Sequence, residues 1–121
     1  MAMIIQTVDG VVTNKFEIDT ELTFGRTPDN HIQIDDLAVS SAHAHIICKS
    51  VKDKDSFYLV DLDSTNGSFI NGKKISKQQL HHKDELRIGW NIFIFIDEKE
   101  VDLEKTSKIK KSWIPGIYFS K

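Results

Sequence analysis

Five polar residues in three separate short segments could together bind a phosphate ester. Arg26 offers a guanidinium, whose fork of N–H groups can bind phosphate through two parallel hydrogen bonds. Ser40 and Thr65 offer compact hydroxyl donors, and the backbone N–H of Ser41 could join them. Asn66 carries an amide and a carbonyl, so it can pair with a peptide main chain on both sides. A phosphate monoester suits this set, because it carries a charge of about −1.5 to −2 near neutral pH and strong acceptor oxygens.

The pattern over residues 1–96 indicates many short β-strands, which would hold these segments in loops. Apolar and polar residues alternate over Ile32–Ile34, and Phe57–Val60 is typical of a buried strand. Asp9-Gly10 and Asn71-Gly72 are turn pairs of the kind that join the strands of a hairpin. Turn residues recur every several positions and no helical repeat is present, which is typical of an antiparallel sandwich or barrel. We therefore predict one all-β domain.

Four short motifs occur in order between the predicted strands: Gly25-Arg26, Ser40-x-x-His43, Ser64-Thr65-Asn66-Gly67 and Asn71-Gly72. In order and separation they resemble the forkhead-associated (FHA) domain family, over roughly Leu22 to Phe95. The resemblance implies an antiparallel β-sandwich of about eleven strands. It also implies that the chain recognises phosphothreonine in peptides.

The resemblance further implies a role for each matching residue. The counterparts of Arg26, Ser40 and Thr65 bind the phosphate, and the counterpart of Asn66 holds the ligand main chain. Ser41 is placed in the same ligand-binding set, although the family often has arginine at this position. A second set would support the binding loops without contacting the ligand: Gly25, His43, Gly67, Asn71 and Gly72.

Simpler interpretations of these residues stay open from the sequence. Arg26 could be a surface arginine beside Asp35 or Asp36, as surface ion pairs are common. Ser40 and Thr65 could be turn formers only, because short hydroxyl side chains suit turns in any protein. The order of the four motifs favours the binding interpretation.

A C-terminal tail, residues 97–121, is predicted to follow the domain. Asp97–Lys111 is rich in Glu and Lys, and the apolar end contains the aromatic residues Trp113, Tyr118 and Phe119. The family commonly reads the third residue after phosphothreonine, and Ile109 follows Thr106 by three. Phosphorylated Thr106 could therefore dock on Arg26 of the same or another copy. Alternatively, the aromatic residues pack on the sandwich or bind a partner.

The composition excludes several classes of partner and of site. The chain has 121 residues, 40% of them hydrophobic, and a formal net charge of −2, so no global attraction to nucleic acid is expected. No apolar stretch is long enough to span a membrane, and the N-terminus is not typical of a signal peptide, so we expect a cytoplasmic protein. Cys48 is the single cysteine, which excludes an intrachain disulfide.

The predicted function is a signalling adaptor that binds phosphothreonine-containing proteins. The alternative is a scaffold or regulatory module of the same fold that binds without phosphate, which Ser41 and the aromatic tail would support. We expect no enzyme, because Asp61 and Asp63 have no accompanying nucleophile–base pair. His43 and His45 have a spacing that permits metal binding, but no third ligand suggests itself, so we expect neither metal nor cofactor.

Overall fold

The computed structural model describes residues 2–98, which form eleven β-strands and thereby confirm the expected strand number. The strands are β1 (Ala2–Val8), β2 (Val11–Ile18), β3 (Glu21–Gly25), β4 (Ile32–Gln33), β5 (Ala44–Val51), β6 (Lys54–Asp61), β7 (Ser68–Ile70), β8 (Lys73–Ile75), β9 (Lys77–Gln79), β10 (Glu85–Ile88) and β11 (Asn91–Asp97). The predictions for Thr106, Trp113, Tyr118 and Phe119 concern residues outside the described part. The domain boundary at residue 96 also stays a prediction.

The strands form two sheets that pack face to face. One sheet has six strands in the order β2-β1-β11-β10-β7-β8, and the other has five in the order β4-β3-β5-β6-β9. The predicted antiparallel sandwich is confirmed, with one parallel pair at an edge, where β4 pairs with β3 and Phe24 lies opposite Ile32. This is feasible because β4 has only two residues, so a short loop can return the chain to the level of β3.

Two predicted hairpins are confirmed, and their turn residues have the positive φ angles that are typical of tight hairpin turns. Asp9 and Gly10 have φ values of 54° and 79° between β1 and β2, and Asn71 and Gly72 have 51° and 83° between β7 and β8. Two successive positive φ values match the right-handed twist of the flanking strands, as in a type I′ turn.

The core lies between the sheets and contains large apolar side chains from both. Phe24 of β3 contacts Phe93 of β11 edge to face, with ring centroids 5.2 Å apart, and Phe57 of β6 contacts Phe95 of β11 at 5.5 Å. Such pairs contribute about 0.5–1.5 kcal/mol each beyond the apolar area they bury. Because Phe24 precedes Gly25 and Arg26, this packing holds the end of β3 from which the first predicted site residue extends.

No helix among residues 2–98 is long and apolar enough to cross a membrane.

Candidate functional site

Three loops meet at one end of the sandwich: the β3–β4 loop (26–31), the β4–β5 loop (34–43) and the β6–β7 loop (62–67). Strands β3, β4, β5 and β6 are neighbours in the five-stranded sheet, with Phe24 and Asp61 both paired to Ala44 at the start of β5, whereas β7 belongs to the six-stranded sheet. Antiparallel neighbours place the end of one strand beside the start of the next. The three loops therefore carry all five predicted ligand-binding residues to the same surface.

Arg26 is fixed by the β4–β5 loop and keeps most of its guanidinium free. Its backbone N–H donates to the carbonyl of Ser40 at 3.0 Å, and its Nε donates to the carbonyl of Val39 at 3.0 Å. Within residues 2–98 no carboxylate lies within ion-pair distance of Arg26, so pairing with Asp35 or Asp36 is not observed. The two terminal nitrogens of this exposed side chain can therefore bind an anion.

Ser40, Thr65 and Asn66 join the β4–β5 loop to the β6–β7 loop. The backbone N–H of Thr65 donates to Ser40 Oγ at 3.0 Å, which leaves the Ser40 hydroxyl proton available to a ligand. Asn66 Nδ2 donates to the carbonyl of Ala38 at 2.8 Å. Asn66 Oδ1 makes no hydrogen bond in the described part of the chain and can accept one from a ligand amide. The second proton of Asn66 Nδ2 also has no partner there, so the predicted pairing of Asn66 with a ligand main chain on both sides stays a prediction.

Ser41 is exposed, and its carbonyl is held by a residue for which the sequence predicted no role. Asn30 Nδ2 donates to Ser41 O at 2.8 Å, and Thr27 Oγ1 donates to the same oxygen at 3.2 Å. Gly25 makes this contact feasible, because a Cβ there would lie 2.1 Å from Ser41 O and 2.4 Å from Asn30 Nδ2. Asn30 therefore positions the β3–β4 loop against the β4–β5 loop. In the sequence, only its position soon after Gly25-Arg26 could have indicated this role.

His43 links the β4–β5 and β6–β7 loops through both ring nitrogens. The ring is completely buried. The backbone N–H of Ser40 donates to Nδ1 at 3.0 Å, so Nε2 carries the proton and donates to the carbonyl of Gly67 at 2.9 Å. The backbone carbonyl of His43 also accepts from the N–H of Leu62 at 2.9 Å. These contacts are those of a residue that supports the binding loops.

Asp61 orders the β6–β7 loop. Its carboxylate accepts hydrogen bonds from the Ser64 backbone at 3.1 Å, from Ser64 Oγ at 2.6 Å and from Ser68 Oγ at 2.7 Å. Burial by itself raises the pKa of Asp61, but the hydrogen bonds from Ser64 and Ser68 outweigh it, so the pKa lies below its usual value. Ser64 Oγ then accepts from the N–H of Gly67 at 2.9 Å, where φ is +86°. Asp61 thus shapes the turn that presents Thr65.

Asn71 and Gly72 lie at the opposite end of β7 from Gly67, so they do not contact the three loops. Asn71 Nδ2 donates to Asp84 Oδ1 at 2.9 Å, and Asn71 Oδ1 accepts from the N–H of Glu85 at 2.9 Å. They secure the β7–β8 hairpin against the start of β10. Their predicted support of the binding loops can only be indirect, through the position of β7.

His43 and His45 do not form a shared metal site. His43 precedes β5 and uses both nitrogens as described, whereas His45 lies on the outer face of the sheet with its Nδ1 2.8 Å from Glu21 Oε2. Among residues 2–98 no three His, Cys, Asp or Glu side chains are placed to hold a metal ion together.

The structure is a two-sheet β-sandwich whose loops at one end bring together an arginine without a carboxylate partner in the described residues and two hydroxyl side chains. The chain belongs to the FHA domain family, since the family model "FHA domain" matches residues 22–89, more than half of its length. This family is the one that the four sequence motifs indicated.

Known proteins similar to this chain include regulators of metabolism. The chain is 33% identical over 85 residues to an oxoglutarate dehydrogenase inhibitor of Corynebacterium jeikeium, covering 69% of this chain and 56% of the relative. It is 32% identical over 84 residues to the glycogen accumulation regulator GarA of Mycobacterium tuberculosis, covering 69% of this chain and 49% of the relative. The chain thus spans about half the length of these relatives.

One similar solved structure comes from a structural and functional analysis of phosphothreonine-dependent FHA domain interactions. It superposes with a TM-score of 0.68 at 25% identity, covering 79% of this chain and 95% of that chain.

Proposed function

We propose that this chain is an adaptor module that binds proteins through a phosphothreonine. The observation that carries the proposal is the exposed guanidinium of Arg26, which has no carboxylate partner in the described residues. One hydrogen bond from its Nε to the Val39 carbonyl and one from the Arg26 backbone N–H to the Ser40 carbonyl hold this residue in place. An unpaired cation beside hydroxyl donors is complementary to a doubly charged phosphate ester.

Binding would use groups from all three converging loops. The terminal nitrogens of Arg26 donate to two phosphate oxygens, and the hydroxyls of Ser40 and Thr65 donate to the remaining acceptor positions. Asn66 Oδ1 accepts from a main-chain N–H of the ligand. Each hydrogen bond to the charged phosphate contributes about 1.5–3 kcal/mol, so a few of them support micromolar affinity after the ordering costs are subtracted.

The loops are ordered before any ligand arrives, which favours this function further. Asn30 donates to the Ser41 carbonyl, while His43 and Asp61 accept from the N–H groups of Ser40 and Ser64. These hydrogen bonds already hold the segments that carry the binding groups. A site that is formed in advance loses less conformational entropy on binding.

The names of the relatives support regulation by binding rather than catalysis. One relative is named as an inhibitor of oxoglutarate dehydrogenase and another as a regulator of glycogen accumulation. We propose that this chain likewise acts by binding to a partner protein and thereby regulating it. Its cytoplasmic location stays a prediction from the sequence, which fractionation of cells expressing a tagged chain would test.

The test is binding of a phosphothreonine peptide library to the wild type and to Arg26→Ala, read by fluorescence anisotropy. The wild type should bind selected peptides with micromolar Kd, bind their phosphoserine counterparts more weakly and ignore the unphosphorylated forms. Arg26→Ala should lose binding while its thermal unfolding stays close to wild type. Lys15→Ala, an exposed change on β2, is the control and should bind as the wild type does.

A second candidate is a module of the same fold that binds an unmodified protein surface. Leu37 favours it, since this apolar side chain of the β4–β5 loop is 93% exposed. Equal binding of phosphorylated and unphosphorylated partner, unchanged in Arg26→Ala, would select this candidate over the first.

A further inference from the structure

A groove with a cavity volume of about 240 Å³ adjoins the candidate phosphate site. Asn66 and Gly67 form one side of it, and the remaining lining residues are Ala38, Phe69, Arg87, Gly89 and Trp90. Asn66 therefore belongs to both surfaces. A ligand whose main chain is held by Asn66 has its neighbouring residues within reach of this groove.

The floor of the groove is a stacked pair on the outer face of the six-stranded sheet. Phe69 of β7 lies opposite Arg87 of β10, and the guanidinium carbon of Arg87 is 4.1 Å from the centroid of the Phe69 ring. This stacking orients the guanidinium plane while leaving its edges open to a hydrogen-bond acceptor. The only side-chain hydrogen bond of Arg87 within residues 2–98 is a long one, from Nη1 to the carbonyl of Gly89 at 3.3 Å.

Two cationic side chains, Arg87 and Lys74, flank the Phe69 ring of the floor. Arg87 has no carboxylate within ion-pair distance in the part of the chain that the structure describes. On its other side, Phe69 is paired with Lys74 of β8, and the carbon chain of Lys74 passes over Gly67. A half-buried arginine without a partner carboxylate favours an acidic group from outside the chain.

The wall of the groove is held in place by hydrogen bonds to the carboxylate of Asp36. Asp36 Oδ2 accepts from the backbone N–H of Trp90 and from Asn91 Nδ2, each at 3.3 Å, while Asp36 Oδ1 accepts from the N–H of Ala38 at 2.9 Å. The Trp90 side chain is 81% exposed although its backbone is tied down. An exposed indole next to an arginine without an ion-pair partner can cover the methylene stem of an acidic side chain.

We propose that this groove receives an acidic side chain of the ligand, so that the partner carries Asp or Glu close to its phosphothreonine. The carboxylate accepts from the free edge of Arg87, and the stem of the side chain lies against Trp90. This inference rests on the proposed function, because Asn66 places the phosphothreonine segment beside the groove.

The experiment uses paired phosphothreonine peptides that differ only by Glu or Gln at one position, scanned over the residues on either side of the phosphothreonine. Affinities are measured near 0.15 M salt, where distant charges are screened. At one position the Glu peptide should bind the wild type about tenfold tighter than its Gln counterpart. Arg87→Gln should bring this ratio below about twofold and leave the affinity for the Gln peptide unchanged.

Two further variants make the result specific to the groove. Arg87→Lys keeps the charge but lacks the planar fork, so it should retain only part of the preference for Glu. Lys15→Gln changes a residue of β2, at the opposite edge of the six-stranded sheet from β7 and β8, and should retain the full preference for Glu. Thermal unfolding of each variant shows whether the loss of the Phe69 contact affects folding.

The outcomes separate this inference from the function it rests on. Phosphate-dependent binding with no Glu preference above twofold at any position would overturn the inference alone. A preference that persists in Arg87→Gln would overturn it as well. If the wild type does not distinguish phosphorylated from unphosphorylated peptides, the proposed function fails and the inference falls with it.

Discussion

Replacement of His43 by leucine tests whether the binding loops depend on the buried imidazole. Leucine has a similar size but cannot accept from the Ser40 N–H or donate to the Gly67 carbonyl, so both backbone groups lose their partner. Each buried backbone group left without a hydrogen bond costs about 1–3 kcal/mol. We expect His43→Leu to lower the free energy of unfolding by about 2–5 kcal/mol, a large share of the stability of an ordinary domain.

The measurement is equilibrium unfolding in urea, followed by the Kd of a bound phosphothreonine peptide at a temperature where both proteins are folded. Affinity should fall about tenfold, because Ser40 and Gly67 lose the ring that sets their separation. His45→Leu is the matched control, since it makes the same chemical change at a partly exposed ring whose partner is Glu21. Its cost should stay below about 1 kcal/mol.

Equal losses of stability in the two histidine variants would refute the reasoning. So would unchanged affinity in His43→Leu, since the ring would then have no part in positioning Ser40.

Three other substitutions probe the framework of the site. Gly25→Ala should weaken phosphopeptide binding at least tenfold in a titration, because the added Cβ would lie 2.1 Å from Ser41 O; wild-type affinity would contradict the assigned loop contact. Asp61→Asn should lower the free energy of unfolding in urea at pH 7, and the difference should shrink as the pH falls below about 4. The pKa of Asp61 is lower in the folded protein than in the unfolded chain. The ionised carboxylate therefore contributes its full stabilisation above the pKa of the unfolded chain, and this contribution is lost as the pH falls through the pKa of the folded protein. Asn71→Ala should cost about 1–2 kcal/mol in thermal unfolding through lost hydrogen bonds to Asp84 and the Glu85 N–H, and a changed peptide Kd would show that this turn influences the loops.

Strands with an apolar face could be predicted from the sequence, and polar edge strands could not. The Asp9-Gly10 hairpin follows from its turn pair and the apolar runs beside it. In contrast, β8 (Lys73–Ile75) and β9 (Lys77–Gln79) are short and mostly exposed, each at the edge of a sheet. Such strands have no alternating pattern, because their pairing depends on the neighbouring strand rather than on burial of their own side chains.

The residue types of the candidate site were predictable, but the contacts that position them were not. The motifs around Arg26 and Thr65 indicate phosphate binding by their chemistry alone. The bond from Arg26 to the Val39 carbonyl and the attachment of Trp90 to Asp36 join residues that are far apart in the chain. They arise from the packing of loops, which the local sequence does not encode, and so the Arg87 groove was not predicted.

The hydrogen bond from the Thr65 N–H to Ser40 Oγ makes that amide proton a built-in reporter. Its magnetic resonance frequency depends on the electron density of the hydroxyl oxygen that accepts it. When Ser40 turns its own proton toward an incoming anion, its oxygen becomes a stronger acceptor and the Thr65 signal moves downfield. Arrival of the anion can thus be followed at one amide in an unlabelled ligand titration, without attaching a dye to either molecule.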